Sequence, residues 1–77
     1  MMRIPSPKAN WDDRVRVLNY RRRPERWESG KIVQLEYRNR FGTFSWSYEV
    51  LLYRESASGN TIRLYVGEDS IQAVDKE

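Results

Sequence analysis

The 77-residue chain contains no cysteine and no histidine. These absences exclude disulfides, zinc sites built from Cys or His, thiol nucleophiles and imidazole acid–base catalysis. The carboxylates show no spacing that predicts an acid–base pair, and no glycine-rich segment opens a helix as a phosphate loop would. We therefore expect no catalytic residue, no metal and no cofactor.

Long apolar segments are missing as well. No stretch approaches the ~20 apolar residues of a membrane span, and residues 1–7 lack the apolar region of a signal peptide. The sequence predicts no membrane partner, and the lack of cysteine favours a cytoplasmic protein.

Aromatic residues, by contrast, are abundant: three Trp, five Tyr and two Phe. A chain of this length forms one domain, and its core is small because a short chain buries only ~60% of its surface. Buried aromatic rings and self-association are the two sources of stability that remain.

Alternation of apolar and polar residues predicts five β-strands, and no segment has a helical period. The strands are expected over 13–18, 30–37, 44–54, 61–66 and 71–74, with a tight or 3₁₀ turn over 67–70. The residues expected to face the core are Val15, Val17, Ile32, Trp46, Tyr48, Val50, Leu52, Ile62, Leu64 and Val66.

This layout predicts an all-β fold, a five-stranded SH3-like barrel formed by residues 13–77. Five short strands, a long first loop and a short turn before a brief last strand are typical of that architecture. Residues 1–12 are expected to form a loose N-terminal arm, with Trp11 as its anchor where the arm meets the barrel.

Four segments resemble the plasmid-borne, trimethoprim-insensitive type II dihydrofolate reductases: Asp-Arg-Val-Arg at 13–16, Trp-Glu-Ser-Gly-Lys-Ile-Val at 27–33, Tyr-Glu-Val at 48–50 and Ile-Arg-Leu-Tyr at 62–65. The resemblance implies an SH3-like barrel that forms a tetramer around a pore for folate and NADPH. The family's pore glutamine falls on Arg63, and the lysine after its Asp-Arg-Val-Arg segment falls on Val17. Tyr65 matches in kind. The resemblance thus supports the fold more than the reductase activity.

The segment from residue 19 to residue 28 is a polar loop rich in arginine. Guanidinium groups pair with phosphates, and neighbouring aromatic rings stack on exposed bases. The alternative is that these are solvated charges, partly neutralised by Glu25 and Glu28. Arg38 and Arg40, in the turn expected over 38–43, extend the basic surface if both loops lie at one end of the barrel. The predicted binding residues are Tyr20, Arg21, Arg22, Arg23, Arg26, Trp27, Arg38 and Arg40.

A second set of apolar side chains is expected on the outer face of the strands. Contiguous exposed apolar surface usually marks an interface, so the set predicts a homo-oligomer. The predicted interface residues are Leu35, Tyr37, Leu51, Tyr53 and Tyr65.

The sequence therefore favours a non-enzymatic binding module that self-associates and contacts nucleic acid or an acidic protein surface through its arginine-rich loop. Three alternatives stay open: a reductase of the type II class, a structural subunit of a bacterial or phage assembly, and a cage of Trp11, Trp27 and Trp46 for a methylated cation.

Overall fold

The alternating pattern produces five antiparallel strands in a computed structural model, which describes residues 4–74 without the side chain of Arg40. A 3₁₀ turn, Glu68–Ser70, separates the last two strands, as predicted. No helix within residues 4–74 is long and apolar enough to cross a bilayer. The strands are β1 Arg14–Asn19, β2 Arg26–Arg40, β3 Thr43–Glu55, β4 Thr61–Gly67 and β5 Ile71–Ala73.

All five strands belong to one sheet with the order β4-β3-β2-β1-β5. Every neighbouring pair is antiparallel. The all-β prediction is confirmed. Within residues 4–74 no pairing between β4 and β5 closes the sheet, so closure into a barrel stays a prediction.

One face of the sheet carries the core, and every residue predicted to face inward is buried in it or packs against it. Trp46 and Ile62 are half-buried against the core, which also includes Ala9 and Ile71. The remaining predicted core residues are buried: Val15, Val17, Ile32, Tyr48, Val50, Leu52, Leu64 and Val66.

A β-bulge in β2 changes which residues face the core. The register between β2 and β3 shifts between Ile32 and Gln34. An extra residue reverses the inward and outward positions that follow it, because side chains alternate with a period of two. Leu35 therefore pairs with Tyr48 and packs against the core. Its predicted position on the outer face is wrong.

Tyr37 follows the same reversal. It pairs with Trp46, and its ring centroid lies 5.3 Å from that of Trp46 and 5.4 Å from that of Phe44. Its predicted position on the outer face is therefore also wrong.

The central hairpin is longer than predicted. β2 begins at Arg26 and ends at Arg40, so Arg26, Trp27, Arg38 and Arg40 are strand residues and not loop or turn residues. The hairpin turn is reduced to Phe41 and Gly42, with φ angles of 52° and 82°. Two successive positive φ angles are typical of a two-residue hairpin turn whose twist matches that of the flanking strands. Strand pairing can therefore continue up to the turn.

The N-terminal segment lies against the sheet through short contacts. The backbone N–H of Lys8 donates to the Tyr48 hydroxyl at 2.9 Å, and Trp46 Nε1 donates to the Pro5 carbonyl at 2.7 Å. Ala9 is buried, whereas Trp11 is 59% exposed, so the prediction of Trp11 as the anchor is wrong. The small side chain of Ala9, and not the large ring of Trp11, is the one that the N-terminal segment buries in the core.

Candidate nucleic-acid interface

The arginine-rich loop, residues 20–25, connects the paired ends of β1 and β2, where Asn19 lies opposite Arg26. Asn19 is buried and holds the first turn of the loop. Its side-chain oxygen accepts the N–H of Arg21 at 3.0 Å, and its carbonyl accepts the N–H of Arg22 at 3.4 Å. An asparagine side chain that bonds backbone two residues on is a common turn device. The backbone at the start of the loop is therefore held by Asn19.

Glu28 holds the other side of the loop. Its side chain is 13% exposed and accepts a hydrogen bond from Asn19 Nδ2 at 2.6 Å. Arg54 on β3 donates to both carboxylate oxygens, through Nε and through Nη2. Arg22 Nη1 lies 3.8 Å from the same carboxylate. Glu28 therefore joins the loop to β1 and β3, and Arg54 is its main partner.

The hydrogen bond from Arg54 lowers the pKa of Glu28 below its ordinary value of 4.5, although burial opposes the shift. The same bond raises the pKa of Arg54. Because the folded pKa of Glu28 is depressed, its contribution to stability is present above the unfolded pKa. That contribution is lost as the pH falls through the folded pKa.

Glu28→Gln is expected to remove this contribution. The free energy of unfolding of wild type should exceed that of the E28Q variant near neutral pH, and the difference should shrink as the pH falls below 4.5. Urea denaturation at a series of pH values measures it. Glu25→Gln is the control, since it removes only an exposed ion pair with Arg23 and should barely change stability. A pH-independent difference for E28Q would contradict this role.

Three arginines are exposed and available to a ligand, two in the loop and one, Arg26, at the first position of β2. Arg21 lies with its guanidinium carbon 5.7 Å from the ring centroid of Tyr20. The Arg23 side chain is 84% exposed, and its pair with Glu25 at 3.6 Å is also exposed. Arg26 is exposed, and neither Arg26 nor Arg21 forms an ion pair with any residue the structure describes. Of the predicted binding arginines near the loop, Arg21 and Arg26 therefore have no carboxylate partner within residues 4–74, whereas Arg23 has only an exposed one.

The two predicted aromatic partners differ in position. Tyr20 is exposed in the loop beside Arg21, where its ring can accept a base. Trp27 is half-buried on β2, opposite Leu18 of β1. The structure thus places one ring in the loop and the other on the sheet.

Arg38 and Arg40 lie far from the loop along β2. The distance along the strand from Arg26 to Arg38 is about 40 Å at ~3.3 Å per residue. Arg38 Nε also pairs with Glu36 at 2.7 Å. The structure therefore does not bring this end of β2 together with the loop.

A shallow groove of about 140 Å³ lies near that end of the sheet. Its charges are paired internally, Arg38 with Glu36 and Arg63 with Glu49 at 2.9 Å. The groove is smaller than the ~300 Å³ at which ligand pockets begin. No cluster of three or more metal-ligating side chains occurs among residues 4–74.

Two positions of the Ile-Arg-Leu-Tyr segment, which carries part of the resemblance to the reductases, lie close to this groove. Arg63, at the position of the family's pore glutamine, is bound to Glu49, and Tyr65 is exposed and lines the groove. The chain matches no protein-family model, no curated protein and no solved structure. The resemblance therefore stays a prediction.

Proposed function

We propose that this protein is an SH3-like, non-enzymatic module that binds nucleic acid through its β1–β2 loop. Arg21, Arg23 and Arg26 contact phosphates, and Tyr20 stacks on a base. The observation that carries the proposal is the exposure of these three arginines, two in a loop that Asn19 fixes at its start and one directly after it. Five strands and a 3₁₀ turn before a three-residue last strand support the SH3-like assignment.

The neighbouring ring favours nucleic acid over an acidic protein surface. Each guanidinium can make two parallel hydrogen bonds to one phosphate. Tyr20 adds an exposed flat ring on which a base can stack. A carboxylate gains no such contact from the ring. Arg22 is not assigned a phosphate contact, because its guanidinium lies beside the Glu28 carboxylate.

A direct titration tests the choice of ligand. A labelled single-stranded oligonucleotide of about ten nucleotides and polyglutamate of equal charge are each titrated with the protein, with fluorescence anisotropy as the readout. We expect tighter binding to the oligonucleotide, because stacking adds to charge. Equal or tighter binding to polyglutamate would instead assign the loop to acidic proteins, and no binding to either would reject the proposal.

A further inference from the structure

Three more cations lie together on the outer face of the sheet, the face opposite the core. Arg14 and Arg16 are exposed on β1, where they alternate with the buried Val15 and Val17. Lys31 on β2 is the register partner of Arg14. None of the three cations forms an ion pair with a carboxylate within residues 4–74. Among residues 4–74, this part of the outer face therefore carries positive charge that no carboxylate pairs with.

An exposed aromatic ring lies among these cations. Tyr53 on β3 is 54% exposed, and the guanidinium carbon of Arg14 lies 5.4 Å from its ring centroid. Because β2 runs between β1 and β3, the contact places both side chains on the same face of the sheet. The outer face therefore has an arginine beside an exposed aromatic ring, as the loop has with Arg21 and Tyr20.

This surface continues toward the loop. β1 leads from Arg14 through Arg16 to Asn19, where the loop begins. Leu18 and Trp27, two half-buried register partners, lie between Arg16 and the loop. One extended ligand can therefore contact both regions.

We propose that a single-stranded nucleic acid crosses this outer face, with one base stacked on Tyr53 and adjacent phosphates bound by Arg14, Arg16 and Lys31. The inference rests on the proposed function for its class of ligand and adds a second surface. Stacking of a base on Tyr53 releases the Arg14 guanidinium for a phosphate, and base stacking is the stronger of the two ring contacts. Bases in a duplex keep their flat faces covered, so the ring selects single strands.

Charge argues against a second copy of this chain on the same surface. A two-fold dimer places one surface against itself. Arg14, Arg16 and Lys31 would then meet their own counterparts without a paired carboxylate. The sequence predicts self-association through Tyr53. The experiment must therefore distinguish a second copy of the chain on this face from a bound single strand.

The experiment measures anisotropy with a labelled single strand of about ten nucleotides and with a hairpin duplex. Tyr53→Ala should weaken single-strand binding about tenfold and leave duplex binding within about twofold. Tyr53→Phe should keep the wild-type affinity because it keeps the ring. Tyr65→Ala is the matched control. Tyr65 is 62% exposed but lies opposite Glu49, so its loss should change single-strand affinity less than about twofold.

Three results would overturn the inference. Tyr53→Ala could bind the single strand as wild type does, or Tyr65→Ala could weaken it equally. Alternatively, wild type could have a mass above 9.3 kDa that returns to 9.3 kDa in the Y53A variant, in which case a second copy covers the face. The loop proposal fails separately, if a variant with Arg21, Arg23 and Arg26 all changed to Ala keeps full affinity while Y53A loses it.

Discussion

Gly30→Ala is expected to destabilise the protein by about 3 kcal/mol, a large share of the stability of a domain this small. A Cβ atom at this position would lie 2.7 Å from the backbone oxygen of Leu51 and 2.8 Å from Cγ1 of Val50. Gly30 pairs with Val15 on one side and Leu52 on the other, so the backbone there cannot shift without breaking two ladders. The cost is steric, since Gly30 has no positive φ.

Urea denaturation followed by tryptophan fluorescence measures this loss. Gly67→Ala is the matched control, because Gly67 has an extended backbone and nothing lies within 4 Å of its added Cβ. Its free energy of unfolding should change by less than about 0.5 kcal/mol. Equal stability of the G30A and G67A variants would show that β2 and β3 do not pack as closely as described.

Replacement of Arg21, Arg23 and Arg26 by alanine is expected to weaken nucleic-acid binding about a hundredfold at low salt. Each guanidinium that contacts a phosphate releases condensed counterions, so three lost contacts remove most of the electrostatic attraction of the loop. Stability should be little changed, because the one ion pair removed, Arg23 with Glu25, is exposed. Anisotropy titrations with the same single strand, together with urea denaturation, measure both quantities.

The control for charge lost elsewhere is the double variant R38A/R63A, which removes two positive charges where the loop variant removes three. These arginines lie away from the loop and are paired with Glu36 and Glu49. Their loss should change affinity much less than the loop substitutions do. If both variants weaken binding equally, overall charge and not the loop determines affinity.

Strand alternation made the core predictable, and the bulge set the limit of that prediction. From Val15 to Val66, the residues assigned inward are buried or pack against the core. Leu35 and Tyr37 failed because a single unpaired residue in β2 leaves no mark on the sequence. Hydrophobic alternation continues through Val33 and Leu35 as if the strand were regular. Only the pairing with β3 reveals the shift.

The loop was recognisable from its arginines, but its support was not. Asn19 and Arg54 look like ordinary surface residues until the register brings them both to Glu28. Arg54 lies 26 residues beyond Glu28 in sequence, so no local pattern joins them. The start of β2 was hidden for a related reason: Pro24 and the charges that follow it resemble a loop, while strand pairing with β1 resumes at Arg26.

The surroundings of the outer-face cations could not be predicted from the sequence either. Alternation with the buried Val15 and Val17 puts Arg14 and Arg16 on the outer face, but their relation to Tyr53 depends on β2 lying between β1 and β3. A sequence indicates which face a residue takes, whereas the order of strands decides its neighbours. The second surface therefore required the structure.

The salt dependence of single-strand binding by the wild-type protein and the loop variant tests the central claim most directly. The three loop contacts contribute about −2 to the log–log slope, so these contacts alone account for a loss of wild-type affinity of about twentyfold over a fourfold rise in salt. The slope of the R21A/R23A/R26A variant should be shallower by about 2. Identical slopes for the two proteins would contradict phosphate binding by the loop.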